Sequence, residues 1–354
     1  MKILVVKLSS LGDILHLFPA ISDLRRRFPE AEIHWLAEPA FAEVAGWHVA
    51  VGKVIAVPLR AHKKAWWRLP ALLGGLRRQL RAEHYDIVLD AQGLLKSALL
   101  ALLTGAPVTG FAAGSAREPL AALFYRNAVK APDGLHVIDK NRRLVAGIFG
   151  ASISQPVDFG LAEFRRERMQ AALPAALGEI AGQPYVVLLH GTTWSSKYWP
   201  EAAWAELACL LARHGWRCVL PWGNEDERLR AQRLQAAGGG KATVLPRLSL
   251  TGLMGVLLHA RAFVSVESGI GHLAAALDVP GLMLHGPTDP DYSGILGKPC
   301  RHIVGGLDCS PCFKRDCPKL DGRQGDPPCQ LAITAQRVFR QCQQLLEENA
   351  GNTH

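Results

Sequence analysis

The chain has 354 residues, 49% of them hydrophobic and 20% charged, a globular composition and more than one hydrophobic core usually supports. It carries no low-complexity tract and no fixed-period repeat, which excludes fibrous, disordered and solenoid classes. Lys plus Arg outnumber Asp plus Glu by 40 to 31, a net charge of +9, and the excess is concentrated in one block.

The chain opens with a short apolar run, Ile3–Val6, that reads as a fully buried parallel strand. A Ser-Ser-Leu-Gly turn follows, then a helical pattern predicted over Leu15–Arg26. That places Asp13 at the carboxyl end of the strand, where ligands bind in open α/β sheets, and makes it a candidate general base. As a cap residue Asp13 has an equally ordinary use, shared with Ser9 and Ser10. Gly12 would let the backbone approach a ligand closely. The four apolar residues before Lys7 are too few for the apolar region of a signal peptide, so a cytoplasmic location is expected.

Further strands are predicted at Glu32–Leu36, Val54–Val57, Ile87–Leu89 and Val108–Phe111, with a helix at Leu94–Leu103. The basic block lies among them: Arg60, Lys63, Lys64, Arg68, Arg77, Arg78 and Arg81 without an intervening acid, around Trp66 and Trp67. Cations around paired indoles suit an anionic membrane surface and would also suit nucleic acid, while a solvated helix face fits equally well. The uncharged stretch 97–116 is interrupted by Gly105, Pro107, Gly110 and Gly114, so helix, turn and strand are expected there rather than a bilayer crossing.

A second series of strands is predicted at Tyr185–Leu189, Arg217–Leu220, Thr243–Leu245, Ala262–Val266 and Gly281–Leu284. Two Rossmann-like open parallel-sheet domains are therefore expected, over 1–165 and 182–330, facing a central cleft. A final helix over 331–347 is free to pack back on the first. Each loop after a strand of the second series carries polar chemistry. His190–Pro200 offers Thr192, Thr193 and Lys197 to a diphosphate. Pro221–Glu227 offers Glu227 to ribose hydroxyls, or as a favourable first-turn charge. Glu267–His272 offers Ser268, Gly269, bare amides at a helix start, and His272. His285–Pro290 adds a fourth loop at the same edge.

Cys309, Cys312, Cys317 and Cys329 are spaced as a candidate structural zinc site, with reduced structural thiols as the alternative.

Seven segments in order carry a resemblance: KLSSLGDILHLFPA from Lys7, DAQGLLKSA from Asp90, SAREPLA from Ser115, HGTTWSSKYWP from His190, LPWG from Leu220, VESGIGHLAAALDVP from Val266, and HGPTDP from His285. Together they are similar to the ADP-heptose glycosyltransferases of lipopolysaccharide core synthesis, which have the GT-B fold. The resemblance covers nearly the whole chain. It implies inverting transfer of L-glycero-D-manno-heptose from ADP-heptose to the first Kdo of Kdo2-lipid A, without a required cofactor or catalytic metal. It places the protein peripherally on the cytoplasmic face of the inner membrane, and nucleic acid is then not a partner. It makes Asp13 the catalytic base. Donor contacts fall to Thr192, Thr193, Lys197, Glu227, Ser268, Gly269 and His272, and acceptor contacts to Ser10, Gly12, Arg60, Lys64 and Arg117. Members of the family carry Asp-Thr where this chain has Glu267-Ser268, which leaves the role of Glu267 open. Transfer of the second core heptose and a non-catalytic lipid A-binding protein are the alternatives.

Overall fold

A computed structural model describes residues 1–59, 61, 67, 69–150, 156–169, 175–180, 182–297, 299–320 and 325–349. The chain divides into two compact units, Met1–Phe164 and Arg165–His354.

The first unit is built on β1 (Lys2–Val6), β2 (Glu32–Ala37), β3 (Val51–Ala56), β4 (Ile87–Asp90), β5 (Val108–Phe111) and β6 (Asn127–Val129). All pairings are parallel, in the spatial order β3-β2-β1-β4-β5-β6. The second unit repeats the plan with β7 (Tyr185–Leu189), β8 (Arg217–Leu220), β9 (Ala242–Val244), β10 (Ala262–Val266), β11 (Gly281–His285) and β12 (Cys300–Val304). Its order is β9-β8-β7-β10-β11-β12, again all parallel. Both sheets thus have the doubly wound Rossmann order. Successive strands run outward to one edge, then restart beside the first strand, so the crevice between β1 and β4, and between β7 and β10, is the natural ligand position.

The central strands β7, β10 and β11 are buried at every residue, as a sheet covered on both faces requires. Two edge strands are absent from the sequence expectation: β6 has three residues and is mostly exposed, and β12 is mostly half-buried, so neither shows a continuous apolar run. The first long helix also differs from expectation. It is broken into Leu11–Leu15 and Phe18–Arg27, with Pro19 just inside the second piece. Proline has no amide to give to the preceding turn and suits the start of a helix, so it restarts one here.

The final helix, Ala335–Glu348, buries Val338, Phe339, Cys342, Leu345 and Leu346 in the core of the second unit, against the helix Glu201–Arg213 and strands β10 and β11. Its apolar stripe, of matching period, completes one face of the second sheet. The basic helix Leu69–Ala82 buries Leu76 and Leu80 and leaves Arg77, Arg78 and Arg81 exposed, a solvated face over a packed one. No described helix is long and apolar enough to cross a membrane.

Three buried imidazoles make the fold sensitive to acid. Burial, chiefly, pushes His48 and His190 to about 4 and His285 to about 3. Their folded pKa values lie below the ordinary 6.5, so the unfolded chain binds more protons between these values. Their contribution to stability is complete above pH 6.5 and declines as pH falls toward the folded values. Acidification from about pH 7 to 5 is expected to destabilise the protein by about 1–2 kcal/mol per ring. Scanning calorimetry across that range checks this: a midpoint that does not fall with pH would contradict it.

Candidate active site

In the first unit, Asp13 lies one turn beyond β1, at the third position of the short helix Leu11–Leu15. Its Oδ2 accepts hydrogen bonds from the Ser10 amide and the Ser10 hydroxyl, both at 2.9 Å. The capping use and the chemical use of Asp13 therefore coexist. Capping engages one oxygen, while the side chain is still 27% exposed and Oδ1 accepts no hydrogen bond among the described residues. Ser10 is thereby a holder of the carboxylate, and the Gly12 backbone is buried within the helix.

Cations surround this carboxylate. Arg117, exposed on its own turn, brings Nη1 to 3.9 Å from Oδ2. Behind lies Lys7, 6% exposed, its ammonium donating to the Ala91 carbonyl at 2.8 Å. Burial pushes Asp13 upward, but Lys7, the Ser10 amide, Arg117 and the Ser10 hydroxyl outweigh it, and the carboxyl settles below its ordinary value. It is ionised at neutral pH, as a base must be. Burial likewise lowers Lys7, with Asp13 and Asp90 opposing and Arg117 and Lys140 assisting.

The loop after β4 fixes this arrangement. Gln92 Oε1 accepts from the amides of Leu8 (2.9 Å) and Ser9 (3.3 Å), pinning the turn that leads to Asp13. Asp90 is fully buried and holds its own loop through the amides of Gln92 and Gly93 and the hydroxyl of Tyr125. Gly93 takes φ +66°, and a Cβ there would stand 3.3 Å from the Arg117 amide, so glycine permits the close passage that delivers Arg117. Arg60 and Lys64, the other acceptor contacts expected, lie outside the described residues.

In the second unit, the loops after β7, β8, β10 and β11 lie at the carboxyl edge and are tied together. Thr192 Oγ1 donates to the Glu267 carbonyl at 3.1 Å, and Lys197 Nζ stands 3.0 Å from Glu267 Oε2 and 4.2 Å from the centre of the Trp194 ring. Glu267 Oε1 accepts from Ser293 at 3.1 Å. Burial raises the Glu267 carboxyl; Lys197, Thr288 and His285 outweigh it and hold the group below its ordinary value. Glu267, left without a role by sequence, is thus the counter-ion that fixes Lys197. Thr193 is exposed.

Glu227 occupies the first turn of the helix Glu225–Ala237, and its Oε2 accepts from the Gly223 amide at 2.8 Å. Its carboxyl carbon lies 2.7 Å from where a Cβ on Gly191 would sit, so glycine there lets the first two loops touch. Ser268 caps the helix Gly269–Ala276 by accepting from the Gly271 amide at 3.2 Å. Gly269 opens that helix without a side chain, and His272 is buried on it. A cation, turn hydroxyls and a helix start at one switch point fit an anionic diphosphate.

One supporting side chain had no sequence signal. Arg230, on the polar helix Glu225–Ala237, donates through Nη2 to the Trp199 carbonyl (2.7 Å) and through Nη1 to Glu201 (3.2 Å). Its guanidinium lies 4.6 Å from the centre of the Tyr198 ring, whose hydroxyl donates to the Thr192 carbonyl at 2.8 Å. Arg230 therefore braces the Thr192–Lys197 loop from below. Arg230→Ala is expected to weaken diphosphate binding about tenfold and to cost about 1–3 kcal/mol of stability, since the Trp199 carbonyl loses its donor. Calorimetric titration with nucleoside diphosphates and a thermal melt check both; unchanged affinity would remove Arg230 from the site.

The four clustered cysteines line one cavity together with Ser196. Burial pushes the Cys329 thiol up to about 11, and Cys317, Cys309 and Cys312 push it the same way. Among the described residues, the one set of three or more ligand atoms lying within 4.8 Å of one another is Glu32, His34 and Glu83. The cysteine segment also has a mechanical part: the carbonyls of Lys314 and Arg315 accept from the Ser196 hydroxyl (2.6 Å) and amide (3.1 Å), holding the turn that bears Lys197. The Glu32–His34–Glu83 set lies at the opposite edge of its sheet and is already engaged by Lys2, Lys53 and Tyr85.

Comparison with known proteins identifies the family. Residues 73–321 match the model of glycosyltransferase family 9 (heptosyltransferase). Lipopolysaccharide heptosyltransferase 1 of Pseudomonas aeruginosa is 44% identical, over 98% of both chains. The structure of E. coli heptosyltransferase WaaC with ADP superposes with a TM-score of 0.81 at 37% identity, over 98% of this chain and 100% of that one. Lipopolysaccharide heptosyltransferase 2 of Salmonella typhimurium is 26% identical, over 98% of this chain and 99% of its own.

Proposed function

Since this chain belongs to glycosyltransferase family 9, the heptosyltransferases, we propose that it catalyses inverting transfer of L-glycero-D-manno-heptose from ADP-heptose to the first Kdo of Kdo2-lipid A. The first heptose is favoured over the second because identity to the type 1 enzyme of P. aeruginosa, 44%, far exceeds identity to the type 2 enzyme of S. typhimurium, 26%. The observation that carries the chemistry is Asp13, an ionised carboxylate held by Ser10 through one oxygen with the other left open.

In this mechanism the open oxygen of Asp13 removes the proton from the acceptor hydroxyl as that oxygen attacks the anomeric carbon. ADP departs from the opposite face, which inverts the anomeric centre. Charge developing on the diphosphate is met by the Lys197 ammonium and by the amides at Gly269, with Thr192 and Thr193 shaping the cradle. Glu227 faces the nucleoside, and Arg117 meets the anionic acceptor. These groups neutralise the leaving group themselves, so a metal ion is not needed and chelation with EDTA is expected to leave the rate unchanged. The protein works peripherally on the cytoplasmic face of the inner membrane, where such an acceptor is made.

Incubation with ADP-heptose and Kdo2-lipid A, followed by ADP release and acceptor mass, tests the proposal. One heptose gained per ADP released supports it. Intact ADP-heptose binding with no transfer would favour a non-catalytic binding protein.

A further inference from the structure

Eleven large apolar side chains are exposed among the described residues, and four of them come from two short elements packed on each other in the first unit. Leu99 and Leu102, 48% and 41% exposed, lie on the helix Leu95–Leu102; Leu120 and Leu123, 62% and 78% exposed, lie on the short 3₁₀ helix Pro119–Phe124. The same elements bury Ala98, Leu100, Ala101 and Ala121 in the core, so packing of the fold is already met by their inner faces. The outward leucines are surplus to folding, and such a cluster marks an interaction surface.

Charge narrows the partner. Residues 91–131 contain Lys96, Arg117, Arg126 and Lys130, all exposed, against one acid, Glu118, whose Oε2 accepts the Leu95 amide at 2.7 Å. An apolar face flanked by cations suits a surface that is anionic outside and apolar beneath. The same loop carries the acceptor-side cation: Arg117, 3.9 Å from Asp13, precedes Pro119 by two residues.

We propose that Leu99, Leu102, Leu120 and Leu123 form a docking surface for an anionic phospholipid bilayer, bedding in its interface while Arg117 and Asp13 meet the acceptor headgroup. This rests on transfer to a lipid-anchored acceptor. No chain segment crosses the bilayer in this arrangement. Leucine burial and cation attraction act together, which is what reversible peripheral binding requires.

The test compares wild type with Leu120→Ser/Leu123→Ser by cosedimentation with phosphatidylglycerol–phosphatidylethanolamine vesicles. Heptosyl transfer is assayed in parallel, to a vesicle-embedded acceptor and to a water-soluble acceptor stripped of its acyl chains. The variant is expected to bind vesicles about tenfold or more weakly, since burying one leucine changes a binding constant by about that factor. Its transfer to the embedded acceptor falls in step, while transfer to the soluble acceptor is unchanged, which also shows that it is folded. Unaltered vesicle binding overturns the proposal. So does equal loss on both acceptors, which would make the leucines contacts for the acceptor sugar. A dimer dissociated by the substitutions, with vesicle binding intact, overturns it in favour of a second copy of this chain. Wild type that transfers to neither acceptor overturns heptosyl transfer, and the vesicle comparison still decides the docking surface.

Discussion

Asp13→Ala is expected to lower turnover by about 10²-fold or more while leaving the affinity for ADP-heptose nearly unchanged. The separation follows from where the carboxylate stands. Asp13 belongs to the first unit and makes its hydrogen bonds to Ser10, whereas every group assigned to the donor belongs to the second. Removing it takes away the proton acceptor without touching the diphosphate cradle. The loss of the two Ser10 hydrogen bonds at a helix start costs only about 1 kcal/mol of stability, so the variant remains folded for the measurement. Presteady-state transfer and equilibrium binding of ADP-heptose on the same preparation check the outcome. Equal losses in both would assign Asp13 to substrate positioning.

Lys197→Ala is expected to lower kcat/KM by about 10²–10³-fold, the range for removing one electrostatic stabiliser of developing negative charge. Both ground-state binding and the departure of ADP suffer, because the ammonium meets the diphosphate before and during bond cleavage. A second consequence is structural. Glu267 is buried and depends on Lys197 to stay ionised, so the substitution leaves it without its 3.0 Å partner and its carboxyl pKa rises. The combined variant Lys197→Ala/Glu267→Gln is therefore expected to melt higher than Lys197→Ala alone but to regain little activity. Steady-state kinetics and thermal melts of the three proteins check this. Recovery of activity in the double variant would mean that Lys197 serves the fold rather than the reaction.

Most strands were legible because a buried parallel strand writes itself as a short, largely apolar run: β1, β2, β5, β7, β8 and β10 follow directly from their residues. Strand order was not legible. Pairing β1 with β4 and β7 with β10 joins residues some eighty positions apart, and nothing local in either strand names its neighbour. Yet that order sets the switch points at which Asp13 and the Thr192–Lys197 loop lie.

Within the sites, Asp13 was visible because it follows a strand and carries a family motif. Lys7 was not, since a lysine ending a strand looks like an ordinary solvated residue until the Ala91 carbonyl is seen to hold it inside. Arg230 was hidden in an all-polar helix for a similar reason: its role depends on Trp199 and Tyr198, thirty residues away. The cysteine spacing shows in the fold as one cavity lined by all four thiols.

The proton-transfer role of Asp13 is tested most directly by single-turnover transfer rates against pH for wild type and Asp13→Asn. The Asp13 pKa is held below its ordinary value, so the wild-type rate is expected to be level over roughly pH 6–8. The residual rate of the variant should climb with pH as solvent hydroxide takes over removal of the acceptor proton. Parallel profiles, with the two proteins separated by a constant factor at every pH, would contradict the assignment of Asp13 as the base.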